Sequence, residues 1–129
     1  LEIGLGTGLN TLLTLIESQK NKSKVYYTAV EPYPLQADII QQLNYATVLG
    51  DENYRMHLQK IHSCNFNELT ALSKDFTFEK QQETLQAISF KRQYNLVYFD
   101  AFAPRVQPEL WVEEVFKKLF DAMLPESIL

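Results

Sequence analysis

The stretch Leu1-Glu2-Ile3-Gly4-Leu5-Gly6-Thr7-Gly8-Leu9-Asn10 decides the architecture. Leu1-Glu2-Ile3 reads as the end of a strand, and the glycines at 4, 6 and 8 stand where a side chain would obstruct a tight turn or a ligand. Leu9, Leu12, Leu13, Leu15 and Ile16 then recur at helical spacing. Strand, glycine loop and helix in that order open a doubly wound α/β sheet, whose ligands sit beyond the carboxyl ends of the strands. Free N–H groups at the start of such a helix can bind a polar ligand. The dinucleotide fingerprint would need a glycine where Leu9 stands, and the phosphate-binding loop would need a Gly-Lys-Ser/Thr that is absent. The spacing therefore favours a nucleotide-type site over a bare structural turn, but neither of those two.

Downstream, the polar run 19–24 precedes Val25-Tyr26-Tyr27-Thr28-Ala29-Val30, a second strand that ends at Glu31-Pro32. Pro34 suits a first helical turn, after which Leu35, Ile39, Leu43 and Ala46 line one helix face. Tyr54, Leu58 and Ile61 predict another helix over 51–61. Alternation in Phe76-Thr77-Phe78-Glu79-Lys80 predicts a strand, turned back on 68–72 through Ser73-Lys74-Asp75. Tyr94 to Phe99 predicts one strand ending in Asp100, and Pro104 biases Ala103 toward loop. A last helix is predicted from Pro108-Glu109, with Trp111, Val115, Phe116, Leu119 and Met123 on its apolar stripe. The fold expected is α/β, a mostly parallel doubly wound sheet.

Composition narrows the class. The chain has 129 residues, 46% apolar and 22% charged, which is one domain's worth of ordinary globular sequence and excludes disordered or disulfide-scaffold classes. No apolar run approaches the roughly 18 residues of a membrane helix, and no basic leader opens the chain, so a soluble cytoplasmic protein without membrane contact is expected. Cys64 is the lone cysteine, and it falls with His57 and His62 into no metal-ligand spacing, so no metal is expected. The histidines are expected on the surface. The absence of an initial Met and the strand-like close at Ile128-Leu129 suggest an excerpt of a longer protein, its sheet incomplete at both ends.

Chemistry should gather at the strand ends. Glu31 follows Gly8 by 23 residues, near the roughly 20-residue offset at which an acid takes ribose hydroxyls. Glu83 would follow the third strand of the sheet, either meeting an adenine amino group or standing as a surface acid. Asp100 either faces the cleft or caps a turn, and its place at the ligand edge favours the cleft. Trp111 is expected in the core, and Tyr26 and Tyr27 on opposite sheet faces. A net charge of −4 argues against a general nucleic-acid binder but leaves room for a local patch. Lys20, Lys22 and Lys24 offer one, and Lys91, Arg92 and Arg105 another beside Asp100.

The glycine stretch, Phe99-Asp100-Ala101-Phe102-Ala103-Pro104 and Pro108-Glu109-Leu110-Trp111 together resemble the methyltransferase domain of the bifunctional tRNA 5-methylaminomethyl-2-thiouridine biosynthesis proteins, the MnmC type. The glycine motif alone marks only class I S-adenosylmethionine-dependent methyltransferases; the D-A-F-A-P and P-E-L-W pair is more specific. The resemblance implies S-adenosylmethionine as cofactor, with Glu2, Gly4, Gly6, Thr7, Gly8 and Asn10 around its methionine part, Glu31 at the ribose and Glu83 near the adenine. Asp100 would meet the methionine and the target amine, with Phe102 and Pro104 in the substrate loop. It implies N-methylation of 5-aminomethyl-2-thiouridine at the tRNA wobble position, the anticodon arm as partner, and an additional oxidoreductase domain in the full-length protein. A non-catalytic cofactor-binding piece and a methyltransferase or aminopropyltransferase acting on a small amine remain the alternatives. Two departures stand out: Glu83 where an Asp is usual, and Leu124-Pro125-Glu126-Ser127 in place of a basic-Pro-Gly-Gly turn.

Overall fold

The computed structural model describes residues 1–90 and 93–129. Its elements in chain order are β1 (Glu2–Ile3), α1 (Leu9–Asn21), β2 (Val25–Val30), α2 (Ala37–Gln41), α3 (Tyr45–Leu49), α4 (Asn53–Ser63), β3 (Thr70–Ser73), β4 (Phe76–Gln81), β5 (Tyr94–Leu96), β6 (Tyr98–Phe99), a 3-10 turn (Pro108–Leu110), α5 (Glu113–Asp121) and β7 (Met123–Ile128). Five strands pair in the order β3-β4-β2-β1-β6, and β5 pairs with β7. All pairings are parallel except β3 with β4. The fold is the expected α/β class with a mostly parallel sheet. Strand order reverses between β1 and β6, because β2 and β4 lie on one side of β1 and β6 on the other. That reversal opens the crevice in which such sheets take ligands.

Alternation along β2 builds two cores. Tyr27 and Ala29 face α1 and α4, where Leu12, Leu15, Leu58, Ile61, Phe76 and Phe78 pack. Val30 faces the other side with Ile3, Val97, Leu110, Val115 and Leu119. Tyr26 stays exposed, so the tyrosine pair divides between the faces as the two-residue period requires.

Four expectations need correction. The helix expected from Pro34 to Ala46 is two short helices, α2 and α3, broken at Leu43-Asn44. Of its stripe only Ala46 is buried, and Ile39 is exposed, so no packing offsets Asn44's tendency to leave a helix. The strand expected over 94–99 is divided at Val97: β5 lies against β7 while β6 lies against β1. The last helix begins later, at Glu113, because Trp111 and Val112 leave helical geometry after the 3-10 turn. Met123 then belongs to β7 and not to that helix. The 124–127 segment lies inside β7 as an irregularity in the ladder, with Glu126 at φ 62°. The α4 helix and the β3–β4 hairpin form as expected, shifted by one or two residues.

Candidate functional site

Three strand ends meet at the crevice because their ladders interlock. The Gly4 N–H donates to the Val30 carbonyl at 2.9 Å and the Asp100 N–H to the Ile3 carbonyl at 3.0 Å. Glu31 and Asp100 therefore flank the start of the glycine loop. Gly4 has φ +87°, and a Cβ there would lie 2.9 Å from the Asp100 carbonyl oxygen, so the site admits no side chain. Gly6 has φ +49° and nothing within 4 Å of where its Cβ would stand, which leaves its outer side open.

A cleft of about 900 Å³ lies over this loop. Of the expected residues, Gly4, Gly6, Thr7, Asn10, Glu31, Asp100 and Phe102 line it. Glu2, Gly8, Glu83 and Pro104 do not. Glu83 is exposed, and its successors Thr84, Leu85 and Gln86 form the wall instead. The other rim is Pro32, Tyr33 and Leu35. Among the described lining residues the charged ones are Glu31, Asp100 and Glu109, with no Lys or Arg. Such a cleft attracts cations and repels phosphates.

Glu31 is nearly buried and already accepts two backbone donors, Gly6 N–H at 3.0 Å on Oε2 and Tyr33 N–H at 2.8 Å on Oε1. Glu31 lines the cleft, and each of its carboxylate oxygens keeps a further acceptor position, enough for a pair of vicinal hydroxyls. On the opposite side, Asn10 Nδ2 donates to Asp100 Oδ2 at 3.0 Å.

Beneath the loop, Glu2 is fully buried. Thr11 Oγ1 and Tyr27 O–H donate to its Oε2 at 2.9 and 3.0 Å, while Oε1 has no partner among the described residues. Burial pushes its pKa up to about 7, against the pull of the Thr11, Asn10 and Tyr27 side chains. Asp100 adds a smaller push in the same direction.

Sequence reasoning missed two contributors and misplaced a third. His62, expected on the surface, is half-buried with Nε2 3.1 Å from the Thr7 carbonyl oxygen. Tyr45 O–H lies 2.8 Å from Thr7 Oγ1. Their helical stretch carries no local signal for this, because the contacts span 55 and 38 residues. Trp111, expected in the core, is partly exposed. It packs edge-on against Phe99 and donates its indole N–H to the Phe102 carbonyl at 2.8 Å, tying down the loop after Asp100. Among the basic residues expected near a partner, Lys91 and Arg92 lie outside the described residues, and Arg105 is exposed close to the rim. No cluster of three or more His, Cys, Asp or Glu that could hold a metal occurs among the described residues, and none of their helices is long and apolar enough to cross a membrane.

The residues fit a nucleoside bearing a positive charge: an acid for its hydroxyls, an open glycine, apolar Val30, Leu85 and Leu110 for a base, and acids for the cation. Comparison with known proteins points the same way. A family model described as S-adenosyl-L-methionine-dependent methyltransferase matches residues 37–129. The chain is 30% identical over 138 residues to the tRNA 5-methylaminomethyl-2-thiouridine biosynthesis bifunctional protein MnmC of Leptospira borgpetersenii serovar Hardjo-bovis (strain JB197), covering 92% of this chain and 19% of that protein. It is 25% identical over 131 residues to the protein of the same name from Paraburkholderia xenovorans (strain LB400), covering 92% and 20%. With that from Campylobacter fetus subsp. fetus (strain 82-40) it shares 25% over 127 residues, at the same coverage of 92% and 20%. The chain thus spans about a fifth of the length of these curated relatives.

Proposed function

The chain belongs to the S-adenosyl-L-methionine-dependent methyltransferase family, and from that premise we propose that residues 1–129 form one domain that binds S-adenosylmethionine over the glycine loop and methylates an amine held beside Asp100. The amine proposed is the aminomethyl group of 5-aminomethyl-2-thiouridine at the tRNA wobble position, in the cytoplasm, with the anticodon arm as partner. The relatives' names motivate the substrate. The observation that carries the reading is the charge of the cleft: three acids and no Lys or Arg among its described lining residues suit a sulfonium and an ammonium, and suit a dinucleotide poorly.

When bound, S-adenosylmethionine supplies an electrophilic methyl group on a good leaving group. Glu31 would hold the ribose hydroxyls, Gly6 and Thr7 the methionine portion, and Leu85 and Val30 the adenine. The target amine is mostly protonated near neutral pH, so its lone pair must be freed before it can attack. Asp100 would accept that proton, its carboxylate held by the Asn10 side-chain amide, which donates to Oδ2. Proton acceptance by a positioned base is worth about 10²–10⁴-fold. Holding the amine in line is worth more, up to about 7–11 kcal/mol. The Trp111 indole N–H restrains the loop on that side by donating to the Phe102 carbonyl.

Calorimetric titration with S-adenosylhomocysteine and with NAD tests the cofactor. Transfer of a labelled methyl to tRNA carrying 5-aminomethyl-2-thiouridine tests the substrate. Tighter binding of NAD overturns the reading; binding of S-adenosylhomocysteine without transfer to that tRNA leaves the cofactor and removes the substrate.

A further inference from the structure

Thr7, at the crown of the glycine loop, is held at both of its oxygens by helices that contribute nothing to the cleft. No residue from 36 to 83 lines the cavity, yet Tyr45 of α3 and His62 of α4 both reach Thr7 from behind. The loop needs this support. Gly4, Gly6 and Gly8 all sit at positive φ, and glycine is the residue with the most backbone freedom to lose on ordering. Ladder and carboxylate bonds fix Gly4 and Gly6 from the sheet side. Among the described residues Thr7 has no such tie: its carbonyl and hydroxyl bond to His62 and Tyr45.

His62 is itself held. Lys80, nearly buried on β4, donates its ammonium to the His62 carbonyl and lies over the Phe66 ring at 4.5 Å. The imidazole packs against the loop, where a Cβ on Gly8 would lie 3.3 Å from Nε2. A carbonyl can only accept, so Nε2 is the protonated nitrogen.

We infer that His62 and Tyr45 are positioning residues for the cofactor, bracing Thr7 so that the glycine loop is already in its binding shape. This rests on the cleft taking S-adenosylmethionine. A rigid loop spends less ordering entropy on binding, so loosening it weakens affinity without removing any ligand contact. Loss of one such hydrogen bond corresponds to about a 3- to 10-fold change.

The test is calorimetric titration of S-adenosylhomocysteine into the wild-type chain, His62→Ala, His62→Gln and Tyr45→Phe. The brace requires about 10-fold weaker binding for His62→Ala, restoration by His62→Gln, whose amide N–H replaces Nε2–H, and about 3-fold weakening for Tyr45→Phe. Wild-type chain that fails to bind overturns the reading of the cleft itself. Wild-type binding with an unchanged His62→Ala overturns the brace alone. A loss that glutamine does not restore overturns the hydrogen bond as its cause. If His62→Ala does not fold, unchanged affinity in Tyr45→Phe overturns the brace.

Discussion

Asn10 donates its side-chain amide to Asp100 Oδ2 at 3.0 Å, joining the first turn of α1 to the end of β6 across 90 residues. The bond engages one carboxylate oxygen of a residue that lines the cleft. It also makes the role of Asp100 separable from cofactor binding, since an asparagine there can still accept from Asn10.

Asp100→Asn is therefore expected to lower turnover by about 10²–10⁴-fold while S-adenosylhomocysteine affinity is largely kept. Single-turnover methyl transfer and calorimetry on the same preparation decide it. Parallel loss of both assigns Asp100 to the cofactor's amino group, and full activity removes it from the mechanism.

Glu31→Gln replaces an acceptor oxygen by a donor and leaves one of the Gly6 and Tyr33 N–H groups without its partner. Hydrogen bonds to a carboxylate are the stronger kind, so affinity for S-adenosylhomocysteine is expected to fall about 10- to 100-fold. The 2′,3′-dideoxy analogue supplies the control. If it loses as much affinity in the variant as the parent ligand does, Glu31 does not bind the ribose.

The two cleft glycines should respond to different degrees. Gly4→Ala drives a methyl to 2.9 Å from the Asp100 carbonyl oxygen, and is expected to destabilise by about 2–4 kcal/mol from overpacking and left-handed strain. Gly6→Ala meets nothing within 4 Å, so only the strain of about 1–2 kcal/mol remains. Its methyl borders the cleft, and its larger effect is expected in ligand affinity. Urea denaturation beside calorimetry checks the order, and equal stability losses would contradict it.

Glu2 makes stability depend on pH. Its folded pKa is raised from 4.5 to about 7 by burial, so between those values the folded chain keeps a proton that the unfolded chain has released. Stability from this group is full below pH 4.5 and is lost as pH rises through about 7, a loss of about 3 kcal/mol by linkage. Glu2→Gln keeps the acceptor for Thr11 and Tyr27 without the charge, so it is expected to become increasingly more stable than wild type from pH 5 to pH 8. Urea midpoints across that range for both proteins test this. A constant difference would show that Glu2 is ionised throughout.

What the sequence determined was set by short-range rules. Three glycines after Ile3 force a turn out of the strand, β-branched and aromatic residues from Val25 to Val30 favour extended chain, and polar residues, Glu31 and Asp100, follow β2 and β6. Those features need only neighbouring residues to act, so the α/β class and seven of the cleft's lining residues were legible. Tertiary structure alone decided the rest. The breaks at Asn44, Val97 and Trp111-Val112 depend on which apolar residues are buried, since Ile39 stays exposed while Val97 lies in the core with Ile3, Val30 and Leu119. Glu83 lost its place at the cavity to Thr84, Leu85 and Gln86 through the path the chain takes after β4. The His62 and Tyr45 contacts with Thr7, and that of Asn10 with Asp100, close loops of 38 to 90 residues. Helical periodicity reports that a face is buried, whereas the loop a single histidine on that helix reaches is fixed only when the sheet brings the two together.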